Sequence, residues 1–346
     1  MERGNIKMVN YRVAVVGATG AVGREMIRML EDRSFPVESI KFLASERSVG
    51  QKLKYKGAEV AVELLTRDSG KGLDIALFSA GSDVSKEFAP FFAADGCFVI
   101  DNSSAWRMDK DVPLIVPEVN PYDLKKDKKI IANPNCSTIQ MVVALKPLHD
   151  FAKIKRVIVS TYQSVSGAGQ KGINELIEQT KAWAEGETIP SANKFQYQIA
   201  FNLIPQIDVF TENGYTKEEM KMTNETKKIM GDNSIEVSAT CVRVPVFRSH
   251  SESVWIETEK PLSPTQAKEL LLKANGIQLL DDPKTKKYPT PLFAENMQTT
   301  YIGRIRSDIS TKNNALTFWI VSDNLLKGAA LNAVQIAETL AIVELV

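Results

Sequence analysis

The stretch "YRVAVVGATGAVGREMIRML", residues 11–30, leaves this chain little freedom in how its fold begins. Residues 13–16 are a short run with β preference. Gly17, Gly20 and Gly23 follow, and then Val22, Met26, Ile27, Met29 and Leu30 recur at helical spacing. Strand, glycine turn and helix in that order begin a dinucleotide-binding βαβ unit. Glycines let the backbone approach a pyrophosphate, and the helix N-terminus supplies N–H donors. The spacing departs from G-x-G-x-x-G, and the competing reading is a tight turn with no ligand. The strand before it and the helix after it favour the cofactor.

Further strands are expected at 40–43, 75–79 and 98–101 with a helix over 84–94, an alternation that builds a parallel sheet. After residue 136 the rhythm changes. "KRVIVSTYQSVSG" and "IEVSATCVRVPV" are long β-branched runs, joined later by "SVWIETE", "TTYIGRIRSD" and "LTFWIVSD". Helices are expected between them near 173–183 and 217–230. Long strands with few helices predict a mixed or antiparallel sheet with helices on one face. The final segment, "NLLKGAALNAVQIAETLAIVEL", is apolar at helical spacing and is expected to pack back on the first domain. The fold class is α/β: a Rossmann-type domain over 1–135 plus 324–346, and an α+β domain with a mixed sheet over 136–323. The first ten residues read as a short lead-in.

A length of 346 residues gives two domains room for cores. A formal net charge of +1 supplies no global field toward nucleic acid or a membrane surface. The N-terminus lacks a hydrophobic signal core and no apolar run reaches about 18 residues, so a cytoplasmic location is expected. Cys97, Cys136 and Cys241 form no CxxC pair and no metal spacing, which suits a reducing compartment and predicts no metal site.

Cys136 stands in "NPNCST". Pro134 disfavours helix for the residue before it, Asn135 is a good N-cap, and "IQMVVALKPL" continues as a helix. A cysteine at a helix N-terminus sits where thiolates are stabilised; the bland alternative is a buried structural thiol. Of the two histidines, His149 in "KPLHD" ends that helix and reads as structural. His250, in "RVPVFRSHSESV", is the one left for acid–base work, although a lone histidine is more often simply packed. Cofactor choice rests on "KFLASERSVG". Ser45, Arg47 and Ser48 suit the 2′-phosphate of NADP, while Glu46 is the kind of carboxylate that an NAD site uses.

"GATGAVG", "LASERSVG", "DNSSAWRMD", "VPEVN", "NPNCSTIQ", "STYQSVSGAG", "GYTKEEMKM", "RVPVFRSHSESV" and "DNLLKGAA" together resemble the bacterial aspartate-β-semialdehyde dehydrogenases, in the family's order and over almost the whole chain. The resemblance implies NADP-dependent interconversion of aspartyl phosphate and aspartate semialdehyde, with phosphate, in lysine, threonine and methionine synthesis. Cys136 matches the nucleophile, His250 the acid–base residue and Gln163 the glutamine that orients the acyl group. Arg107 and Lys221 match the phosphate positions, Arg243 and Glu218 the pair for the substrate's α-carboxylate and α-amino groups, and Asn135 joins the substrate set. On the cofactor side the match adds Thr19, Ala21, Val22, Ser166, Gly167 and Asn324. It also implies a homodimer, or a tetramer, joined through the second domain.

Alternatives remain within the same chemistry: N-acetyl-glutamyl-phosphate reductases and glyceraldehyde-3-phosphate dehydrogenases also work through thioesters on a related layout. Glu218 and Lys221, three apart, also read as an ordinary helix ion pair. A cofactor-binding sensor without turnover would not need Cys136, Gln163 and His250 together. No basic stripe supports nucleic-acid binding.

Overall fold

The computed structural model describes residues 9–311 and 314–346; most of the expected lead-in lies outside them. Two compact units share the chain. One takes residues up to Pro113, Tyr122–Asn133 and Ala333–Val346, and the other Leu114–Pro121 and Pro134–Asn332.

The first unit runs β1 (Tyr11–Val16), α1 (Ala21–Asp32), β2 (Val37–Ala44), β3 (Lys52–Tyr55), β4 (Ala58–Leu64), β5 (Ile75–Phe78), α2 (Ser82–Ala94), β6 (Phe98–Asp101) and β7 (Ile130–Ala132). The seven strands stand in the order β3-β4-β2-β1-β5-β6-β7, all parallel except β3 against β4. β1 is central, and Val13, Ala14, Val15 and Val16 are fully buried, as a strand covered on both faces requires. The β3–β4 hairpin was not expected from the sequence. β3 alternates lysine with buried residues over only four positions, β4 has no such alternation, and only Leu53, Tyr55 and Val62 are buried. The last residues of the chain belong to this unit, where Glu338 pairs with Arg33 at 2.7 Å.

The second unit runs α3 (Cys136–Ala152), β8 (Ile154–Gln163), α4 (Gln170–Ala184), α5 (Lys217–Met230), β9 (Glu236–Arg243), β10 (His250–Thr258), α6 (Pro264–Leu272), β11 (Ile277–Leu279), α7 (Pro291–Ala294), β12 (Thr300–Ser307) and β13 (Ala315–Ser322). Its six strands form a mixed sheet in the order β11-β12-β13-β10-β8-β9, parallel at β8–β9 and β11–β12 and antiparallel elsewhere. α3 is buried all round over residues 137–145. Ile139, Met141, Val142, Leu145 and Leu148 are fully buried, which is how a helix enclosed by its neighbours reads. The expected C-terminal helix has two parts. Leu326–Ala330 is a π turn, and α8 (Leu331–Ile342) continues from it.

Candidate active site

In the first unit, the end of β1 and the start of α1 open a cleft of about 670 Å³ lined by Gly17, Thr19, Gly20, Ser45, Arg47 and Ser48, with Phe88 among its apolar walls. Gly17 has φ +80°, and a Cβ there would stand 2.5 Å from the Ser79 carbonyl oxygen. A Cβ on Gly23 would stand 2.2 Å from the Gly17 carbonyl oxygen, so this glycine lets helix and turn close on each other. Thr19 Oγ1 and Ser48 Oγ lie 3.2 Å apart, joining the glycine loop to the segment after β2. Glycine backbone on one side and hydroxyls with an exposed arginine on the other suit a dinucleotide phosphate. Ala21, Val22 and Gly23 sit in α1 and do not line the cleft. Arg107, also in this unit, is buried and donates to the carbonyl oxygens of Asn133 and Asn102, both at 3.0 Å.

The second unit brings together most of the other predicted residues. Cys136 is the first residue of α3. Asn135 caps the helix, its Oδ1 accepting from the N–H groups of Ser137 (3.0 Å) and Thr138 (3.2 Å). The Asn135 Nδ2 donates to Glu218 Oε1 at 2.8 Å, and Gln163 Nε2 reaches the same oxygen at 3.4 Å. Glu218 Oε2 accepts from Lys221 at 3.1 Å, and Lys221 also pairs with Asp208 at 2.9 Å. The expected i,i+3 ion pair is therefore made, and the same carboxylate also faces the cysteine's helix cap. Burial pushes the Glu218 carboxyl up; Lys221, the Asn135 amide and Arg243 together outweigh it and hold the group below its ordinary range. α5, which carries Glu218 and Lys221, starts with a Thr216–Glu219 capping box, a signal present in "TKEE".

Arg243 ends β9 with 6% exposure and donates from Nη1 to the Ser164 carbonyl at 2.6 Å. Its neighbour His250 is fully buried. Ser164 N–H donates to His250 Nδ1 at 3.1 Å, while Nε2 has no partner. That bond places the proton of the neutral ring on Nε2, so the ring presents a donor. Burial first, and the Arg243 charge second, hold its pKa well below the usual histidine value. Of the expected acid–base role, this geometry favours the donor half. Gly167 makes room for the pair: a Cβ there would stand 2.9 Å from Arg243 Nη1 and 3.3 Å from His250 Nε2. Asn324 Oδ1 accepts from Ser164 Oγ, Ser166 Oγ and Ser249 N, at 3.1, 3.2 and 2.9 Å. His149 Nδ1 accepts from Ile154 N at 3.2 Å, a structural contact.

Sequence reasoning missed three parts of this site. Glu225 Oε2 accepts from Asn135 N–H at 2.7 Å, Ser164 joins Arg243 to His250, and Gly328 closes on Cys136. A Cβ on Gly328 would lie 2.9 Å from Cys136 Cβ. The signal for the last was a glycine inside an apolar helical run, "LLKGAA". Cys97 and Cys241 are buried, and burial pushes both thiols far up; Cys136 alone among the cysteines is partly exposed.

Two family models match the chain: the semialdehyde dehydrogenase NAD-binding domain over residues 12–127, and the semialdehyde dehydrogenase dimerisation domain over residues 145–327. The aspartate-semialdehyde dehydrogenase of Aquifex aeolicus (strain VF5) is 60% identical over 335 residues, 96% of this chain and 98% of that protein. The crystal structure of aspartate semialdehyde dehydrogenase II complexed with ASA from Vibrio cholerae superposes with a TM-score of 0.93 at 49% identity, over 96% of this chain and 99% of that one. The Candida albicans aspartate semialdehyde dehydrogenase solved with NADP gives 0.76 at 25% identity, over 98% and 100%. With a nucleotide-binding unit, a mixed-sheet unit and this identity along its length, the chain belongs to the aspartate-semialdehyde dehydrogenase family, and it is an oxidoreductase.

Proposed function

We propose that this enzyme interconverts L-aspartyl 4-phosphate and L-aspartate 4-semialdehyde with NADP as redox partner, in the common route to lysine, threonine and methionine. The observation that carries the reading is the convergence on Glu218: one buried carboxylate meets the cap of the Cys136 helix, the Gln163 amide and the field of Arg243. An α-amino group suits Glu218, and an α-carboxylate suits the flat, two-pronged guanidinium of Arg243. An acetylated amine would bring no charge for Glu218 to pair. Arg107 and Lys221 take the phosphate.

Cys136 attacks the acyl carbon as the thiolate, the C–O bond to phosphate breaks, and a thioester remains on Sγ. Bound NADPH supplies the hydride that lowers the acyl group to the aldehyde level. Gln163 orients the acyl group, and His250 Nε2–H donates to its oxygen as negative charge develops there. The C–S bond then breaks, returning Cys136 as the thiolate. The first unit holds the nucleotide through Gly17, Thr19, Gly20, Ser45, Arg47 and Ser48, with Ala21, Val22 and Gly23 shaping the helix start behind them, and the second unit, which includes Asn324, carries the chemistry with Ser166 and Gly167 beside the cofactor. Exposed Trp183, Tyr197, Phe201, Leu203 and Phe210 support a homodimer formed through the second unit. The same reading places the enzyme in the cytoplasm.

The test is NADP reduction with aspartate semialdehyde and phosphate, run beside N-acetyl-glutamate semialdehyde and glyceraldehyde 3-phosphate. Preference for the first substrate, lost in Cys136→Ala and kept in Cys97→Ala, is the expected result. Equal or better turnover of another aldehyde would replace the substrate assignment.

A further inference from the structure

On the helix-covered face of the second sheet, side chains stand in rows across β9, β8, β10 and β13. Arg243 faces Gln163, and His250 faces Ser322. Continuing the β8–β10 ladder one residue past the Ser251–Tyr162 pair brings Gln163 beside His250. Two rows further in lie Ala239, Val159, Val254 and Phe318, an ordinary apolar core. The row between them is Cys241, Thr161, Glu252 and Ile320. A carboxyl group therefore stands directly behind the reacting row where the core should be apolar.

Glu252 has 0% exposure, and neither carboxyl oxygen makes a well-formed hydrogen bond. Gln140, fully buried on α3, is the side chain that acts on it. The carboxyl lies close enough to the Gln140 amide to feel it, and Gln140 Oε1 is also without a partner. Gln140 Nε2 donates to the His250 carbonyl oxygen at 3.4 Å. On the far side of His250, Ser249 has φ +72°, a left-handed conformation that a serine holds only where its surroundings fix it. Ser249 N–H is fixed by Asn324. The His250 backbone is thus held before the ring by Asn324 and after it by Gln140.

We propose that Glu252 and Gln140 form a positioning pair for His250, Glu252 steadying the Gln140 amide that holds the His250 carbonyl. Buried polar atoms need partners, and a carboxylic acid that keeps its proton offers one donor and one acceptor, the complement of a side-chain amide. Burial keeps the Glu252 carboxyl protonated far above the ordinary carboxylate range, against the weaker opposing effect of Gln140. Glu252 touches no reacting atom in this arrangement; it acts through His250.

The inference rests on the role proposed for His250, and its test has a readout independent of turnover. The chain has two histidines, so histidine labelled with carbon-13 at Cε1 gives two signals, assigned with His149→Gln. Glu252→Leu and Gln140→Met are expected to displace the His250 signal, to leave that of His149 in place and to reduce kcat by about 10–100-fold, the scale of a misplaced catalytic group. Glu252→Gln, which keeps a donor and an acceptor, is expected to restore the His250 signal and to hold kcat within about threefold of wild type. An unmoved His250 signal in both Glu252→Leu and Gln140→Met overturns the proposal; if one variant fails to fold, the other decides. A loss beyond about a hundredfold in Glu252→Gln also overturns it, because the carboxyl would then take part in the chemistry itself. Absence of semialdehyde turnover in the wild type would sink the proposed function and leave the His250 signal to decide the positioning.

Discussion

Arg243 shows how much one side chain can carry. It is buried, one nitrogen is committed to the Ser164 carbonyl, and Gly167 leaves its guanidinium room beside His250. A lysine ammonium is a single point and cannot hold that carbonyl while matching a flat carboxylate. Arg243→Lys is expected to raise the KM for semialdehyde by about tenfold or more, since two charge-assisted hydrogen bonds become one, with a smaller change for phosphate. Varying the two substrates separately checks this. Arg47 is tested by cofactor titration: Arg47→Ala is expected to weaken NADP by roughly 1.5–3 kcal/mol, one hydrogen bond to a charged group, with NAD little changed. Glu252 has a stability signature. Its pKa is raised in the folded state, so its contribution is full below the unfolded carboxyl value and is lost as pH climbs toward the folded value. The neighbouring groups do not reverse that sign. Thr161 and Ile320 flank it on the next strands and Gln140 acts on it from α3, while His250 on its own strand and Cys241 on β9, with Glu219 bonded to the Cys241 N–H, are the titratable groups nearby. Glu252→Gln is expected to gain Tm relative to wild type as pH rises from the unfolded carboxyl value toward the raised folded value, at up to about 1.4 kcal/mol per pH unit. A Tm difference that stays flat across that range would mean the folded carboxyl is already ionised.

At the scale of elements, α3 and the π turn work as one device. The Asn135 cap fixes where α3 begins, and Gly328 in the π turn lies against the first residue of that helix. Gly328→Ala would put a methyl 2.9 Å from Cys136 Cβ and 3.3 Å from its Cα, so Cys136 must shift. Thermal melting is expected to show a loss of about 1–3 kcal/mol, typical of overpacking, and iodoacetamide should alkylate Cys136 at a changed rate. What the sequence made legible follows from the same physics. The βαβ start was readable because the positive φ of Gly17 and the close approach of Gly23 to Gly17 are local, and the cap because Asn135 bonds N–H groups two and three residues on. The β3–β4 hairpin was not, because β3 is too short for its alternation to stand out and β4 buries only Val62. The π turn was hidden inside an apolar run that reads as plain helix. Glu252 was invisible for a different reason: "HSESV" is polar on both faces, and only its register across four strands shows that the glutamate points inward.

On the scale of the whole molecule, the first unit is discontinuous: it needs residues up to Pro113, then Tyr122–Asn133, then Ala333–Val346. The ribosome makes those parts in order. At about 5–20 residues per second, roughly 10–40 s separate the emergence of β7 from that of the closing helix. During that interval the nascent nucleotide-binding sheet lacks Val334, Ile336, Ala337 and Leu340, all fully buried in the finished chain, as well as the Glu338 partner of Arg33. Nascent chains stalled just short of residue 333 are expected to be cut by protease within 11–133, and chains extended past 346 to be protected there. Equal protection in both would mean that the sheet folds without its last helix. The enzyme's birth therefore has a vulnerable period set by topology, in which a chaperone has its most useful binding site on the half of the protein that was made first.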